Sequence, residues 1–176
     1  WLVDSAYYAS GAELVVEEYI VEGDPESPMM MGPANITLTN VDVFGDTFTS
    51  VSQHEDLAGV ANATKVAKYR GQFSFGAGIT NCFVLAVDRM EFPSVGFFRQ
   101  DFADVPLGEL MNLLALEENA VLFPRELASE MGVVVGDLVT ISVEVDENTY
   151  TRKSVITGLY DYFPTVYFGE NPTVIT

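Results

Sequence analysis

An α+β domain, with a mixed sheet and short helices packed on it, is predicted by three observations. Stretches rich in β-branched and aromatic residues recur between short helical ones, without the regular alternation of βαβ units. Hydrophobic residues make up 48% of the chain and the mean hydropathy is +0.20, so a core can be buried despite a net charge of −18. A length of 176 residues suits one domain, or one domain carrying an inserted lobe.

The elements follow in order. Residues 1–10 read as a short helix stopped at Gly11, and Ala12 to Val21 as a strand. Proline and glycine at Pro25, Pro28, Gly32 and Pro33 bracket a loop around Met29, Met30 and Met31. Asn35 to Phe44 alternates like a strand, and Ser50 to Leu57 suits a short helix ended by Gly59. Val60 to Phe75 alternates over a long stretch, Gly76-Ala77-Gly78 makes a turn, and Thr80 to Asp88 is apolar enough for a central strand. Phe92 to Val105 is loop-like, punctuated by Pro93 and Gly96. Leu107, Leu110, Met111, Leu113 and Leu114 then give Pro106 to Leu116 helical spacing. Ala120 to Phe123 is a short strand, and Pro124 sits at the favoured first position of a helix that Gly132 terminates. A turn at Gly136-Asp137 leads into Leu138 to Val145; Asp146-Glu147-Asn148 turns the chain back along Tyr150 to Tyr160.

Charge excludes some partners. Residues 1–64 hold eleven acids and no Lys or Arg; all eight bases lie from Lys65 onward. So acidic a chain repels phosphate backbones and anionic lipid surfaces, which argues against nucleic-acid binding. The acidic half is a solvated face, a docking surface for a basic partner, or a loose calcium site.

Catalytic signatures are missing from the sequence. Cys82 has no second cysteine with which to form a disulfide, and in Cys82-Phe83-Val84-Leu85 it reads as a buried, inert thiol. His54 is the single histidine, and it and Cys82 fall on different elements, so a nucleophile–base pair has no support. Gly76-Ala77-Gly78 lacks the third glycine of a dinucleotide loop, and no phosphate loop, zinc spacing or hydrolase elbow occurs. With 26 acids some carboxylates must lie close together, but no spacing singles out a glycosidase pair. The chain reads as no enzyme, with no cofactor and no metal. No run of 18 apolar residues spans a bilayer, and the start at Trp1 and stop after Val174-Ile175-Thr176 read as cuts from a longer protein.

Three stretches carry a resemblance. Ala120-Val121-Leu122-Phe123-Pro124-Arg125-Glu126-Leu127-Ala128, then Gly132, then Gly136-Asp137 and the strand Leu138 to Ile141, resembles a block in the extracytoplasmic (MacB-like periplasmic core) domains of FtsX-like ABC transporter permeases. Val155-Ile156-Thr157-Gly158-Leu159-Tyr160-Asp161-Tyr162-Phe163-Pro164-Thr165 is similar to that family's closing strand. Glu55 to Thr64 resembles its short helix and strand entry, with Ala58 in place of the usual proline. The resemblance implies an extracytoplasmic loop on the outer side of a cell membrane, lying between transmembrane helices of the same chain. The partners it implies are a separate cytoplasmic ATPase and a second permease subunit. Such a domain has no catalytic residue; it couples helix motion to export, lipoprotein release or activation of a partner. An acidic extracellular binding or adhesion module, with or without calcium, is the alternative, and a hydrolase with unrecognised carboxylates a third reading.

The permease reading brings spatial expectations. The termini should emerge on one side, with Ala12–Val21 and Val155–Tyr160 in one sheet. Residues 1–87 with 150–176 would form a membrane-proximal lobe and residues 88–149 a smaller distal one. Phe97, Phe98 and Phe102, beside Arg99, Asp101 and Asp104, are candidate docking residues, because aromatics and arginine are enriched in binding hot spots. Tyr160, Tyr162, Phe163, Tyr167 and Phe168 are candidate membrane-proximal aromatics, since such rings favour the water–lipid interface.

Overall fold

The computed structural model describes residues 51–145, 148–166 and 171–176. Contacts along the chain divide it into two compact units; among the described residues, 51–63 belong to one and 64–176 to the other. The first contains the helix α1 (Val51–Glu55). The expected pairing of Ala12–Val21 and the position of the N-terminus lie outside the described residues.

The second unit is a closed barrel of six strands. Chain order runs β1 (Val66–Phe75), β2 (Gly78–Val87), α2 (Phe92–Val95), α3 (Leu107–Leu113), β3 (Ala120–Pro124), α4 (Arg125–Met131), β4 (Leu138–Val145), β5 (Asn148–Tyr160) and β6 (Thr173–Ile175). Spatial order is β1-β2-β6-β3-β5-β4, returning to β1. The hairpins β1–β2 and β4–β5 are antiparallel, as the turn signals at Gly76 and Asp146 predict. Between them β6 runs parallel to β2 and antiparallel to β3, and β3 runs parallel to β5.

This architecture corrects the predicted α+β sheet with helices packed on it. Most elements form near their expected bounds, but they close on themselves instead of leaving an open sheet. Two contacts are responsible. The three residues of β6, all buried, knit β2 to β3. The seam Gly71↔Val143 to Ser74↔Thr140 joins the first strand to the fourth. Neither can be read locally, because a three-residue strand has too few positions to show a period. The barrel takes β3, β4 and the first two residues of β5 from residues 88–149, and β1, β2, β6 and the rest of β5 from outside that span.

Burial explains why the central strands read as continuous apolar runs. One core cluster fills the barrel and draws on all six strands, with Phe73, Val84, Phe123, Val139, Ile156 and Val174 among its members. A second cluster lies on the other side of the wall, where Leu85, Leu122 and Ile175 meet Leu110 and Met111 of α3 and Phe92 of α2. Neighbouring residues Leu122 and Phe123 therefore serve opposite clusters. A strand buried on both faces has no need of polar alternation.

Candidate interaction site

The segment from Asp88 to Val105 is held at both ends. Asp88 Oδ1 accepts the backbone N–H groups of Met90 and Glu91 at 2.9 and 3.2 Å, starting the turn into α2. At its far side the carbonyl of Phe102 accepts two N–H groups, those of Asp161 and Tyr162, at 2.8 and 3.0 Å. A charged clasp reinforces the junction: Arg125, the first residue of α4, reaches Asp104 at 2.6 Å and Asp161 at 3.0 Å. The hydrogen bond that Arg125 donates to Asp104 chiefly, with help from Asp161, raises the Arg125 pKa further above its ordinary value. The guanidinium thus stays charged at any working pH. Because Arg125 and both acids are partly exposed, solvent screens the clasp, and it contributes geometry more than stability.

This junction brings together the two aromatic groups that the sequence assigns to separate ends. Phe102 contacts Phe97 at 6.2 Å, Phe98 at 5.4 Å and Tyr162 at 5.5 Å between ring centroids. Phe98 reaches Phe163 at 6.4 Å, and Phe163 in turn stacks on Phe92 and meets Tyr160, each at 5.5 Å. Phe102, Tyr160 and Phe163 are buried and belong to the core; Phe97, Phe98 and Tyr162 are half-buried over them. The Tyr160 hydroxyl donates to the buried carbonyl of Thr173, tying the end of β5 to β6. Arg99 forms a two-pronged ion pair with Asp101 and lies 5.8 Å from the Phe102 ring centroid. Tyr167 and Phe168 fall outside the described residues. The sequence offered no sign that residues 97–102 and 160–163 meet, since nearly sixty residues separate them.

Asp104 and Asp161 both accept from the one Arg125 guanidinium, which fixes the relative placement of the two carboxylates. Among the described residues no group of three or more His, Cys, Asp or Glu side chains could hold a metal ion. Among them, too, no helix is long and apolar enough to cross a membrane.

Cys82 is buried among Phe73, Val84 and the rest of the barrel core, and desolvation pushes its thiol from 9.0 up to about 12. Below pH 9 the folded and unfolded thiols both keep their proton, so the shift costs nothing. As pH rises toward about 12 only the unfolded form ionises, and stability falls. At pH 8 the native thiolate fraction should be on the order of a thousandfold below that of the unfolded chain. A colorimetric disulfide reagent should accordingly label the native protein far more slowly than the protein in urea; equal rates would place Cys82 outside the core.

No family model matches the chain, and no curated protein matches it.

Proposed function

We propose that this chain is a non-catalytic extracytoplasmic domain of an FtsX-like ABC transporter permease, moved by membrane helices that a separate ATPase drives. The observation that carries this reading is the block from Ala120 to Ile141. Strand β3 passes directly into α4, which ends at Gly132 in a left-handed conformation, φ 68°, with the Val133 N–H donating to the Ala128 carbonyl at 3.0 Å. Asp137 then accepts the Val134 N–H at 2.8 Å and β4 begins. The residues that carry the resemblance are therefore the ones that shape the block: Gly132 permits the helix stop, and Asp137 fixes the turn. A barrel closed around its full circumference also suits a domain that must pass on a displacement without shearing.

The natural, full-length gene product provides the test. Apolar segments of about 20 residues should flank residues 1 and 176, and the product should co-purify from membranes with an ATPase. The pair Phe97→Ala and Phe98→Ala should then lower transport or partner binding while the isolated domain keeps its fold, its melting temperature falling by only a few degrees. A product lacking such flanking segments, found outside membranes, overturns the reading.

A further inference from the structure

The chain carries the triplet Asn62-Ala63-Thr64, the Asn-x-Thr pattern at which a transferase attaches an oligosaccharide to asparagine. So short a pattern recurs by chance, and at Asn62 two structural features give it weight. The first is place. Residues 60–65 form neither helix nor strand, and Ala61 and Asn62 are exposed. The division between the two compact units falls just beyond, between Ala63 and Thr64. The Ala63 N–H donates to Glu55 Oε1 at 3.3 Å, so the stretch is tied back to the helix α1 next to the acceptor residue. A sugar on the Asn62 amide therefore has solvent to enter.

The second feature is an orphaned hydroxyl. Thr64 Oγ1 is buried and has no hydrogen-bond partner among the described residues. Buried polar atoms are nearly always paired, and leaving one unpaired is unfavourable. Valine has the same shape and the same β-branching, and would stand there without that penalty. Packing therefore does not account for the hydroxyl. The Asn-x-Thr pattern does, because the hydroxyl two residues beyond the asparagine is what the transferase reads. Transfer takes place on an extended, emerging chain, before Thr64 is packed; afterwards only Asn62 has to stay accessible. Asn171-Pro172-Thr173 makes the contrast: it has the same outer residues, but the pattern excludes proline between them, and Thr173 is a buried residue of β6. Asn35-Ile36-Thr37 also fits the pattern and lies outside the described residues.

We infer that Asn62 is an N-glycosylation site. The donor is an oligosaccharide joined through phosphate to a polyprenyl lipid. Asn62 Nδ2 forms a bond to the anomeric carbon of the first sugar. The bond from that carbon to the phosphate oxygen breaks, its electron pair stays on the lipid phosphate, and the amide gives up one proton; nothing is oxidised or reduced. The inference rests on the extracytoplasmic reading, since such donors are used on the outer or lumenal face of a membrane.

The full-length gene product in its natural cells supplies the test. A membrane-impermeant amine reagent applied to intact cells should label the exposed Lys65 and Lys153, which places the domain outside. Mass spectrometry of the peptide holding Asn62 should show the added mass of a hexose or hexosamine series. Asn62→Gln and Thr64→Val should both lose that mass, and Thr64→Ser should keep it. Thr64→Val should melt no lower than the parent, because it removes an unpaired buried hydroxyl. A domain labelled on intact cells whose Asn62 is bare overturns the inference and leaves the extracytoplasmic reading standing. A domain labelled only after lysis, with Asn62 bare, overturns both. An added mass that survives Thr64→Val also overturns the inference.

Discussion

Phe163→Ala is expected to lower the unfolding free energy of the barrel unit by about 3–5 kcal/mol, the range for emptying a buried aromatic site. Phe163 is fully buried and touches three rings at once, Phe92, Phe98 and Tyr160. Each of these comes from a different stretch: α2, the loop after it, and the end of β5. Their backbones are fixed independently, Phe92 by its helix and Tyr160 by its strand, so the space cannot simply collapse. Part of the loss comes from transfer of the ring to water and part from the cavity left among the others. Urea unfolding followed by tryptophan-independent far-UV signal would measure it. Phe97→Ala, at a half-buried position, should cost about 1 kcal/mol or less on the same protein. Equal losses at the two positions would mean that Phe163 is not the hub of the cluster.

The same cluster shows what could be read in advance. Individual elements were legible because their signals are local: the leucine spacing gives α3, Pro124 and Gly132 bound α4, and alternation gives β4. The Phe97–Phe102 and Tyr160–Phe163 groups were visible as concentrations of aromatic residues. What was hidden is their meeting, which depends on the Phe102 carbonyl accepting the N–H groups of Asp161 and Tyr162, nearly sixty residues further along the chain. Closure of the barrel was hidden for the same reason. Apolar Thr80 to Asp88 announces a strand covered on both faces, but helices on a sheet and a barrel wall under α3 meet that requirement equally well. The short β6, which decides between them, carries no periodic signal, and the bulge that shifts the β3–β5 register between Val121 and Leu122 leaves no mark in the sequence.

Glycine positions give a sharper test of closure, with a second large effect. Gly71→Ala should destabilise the barrel by about 1–3 kcal/mol, and Gly71→Val by more, as expected when atoms are forced into a filled site. A Cβ at Gly71 would run into the backbone carbonyl oxygen of Ser142 and come within 3.3 Å of Val143 Cγ1. Gly71 pairs with Val143 at the end of the four-residue seam that closes β1 on β4. A backbone oxygen in a ladder cannot step aside without loosening the hydrogen bonds around it, so the strain falls on the seam itself. Gly158→Ala makes the contrast. There the added Cβ meets Leu113 Cδ1 at 2.8 Å and Leu122 Cδ2 at 3.0 Å, both ends of side chains that can change rotamer. The expected order is therefore Gly71→Ala worse than Gly158→Ala, although both positions are tight. Amide exchange should separate them further: Gly71→Ala should speed exchange along the seam between β1 and β4, while Gly158→Ala should act on α3 and its leucines. If Gly71→Ala were as stable as the parent, with slow exchange at Phe73 and Ile141, Gly71 would not lie against the Ser142 carbonyl.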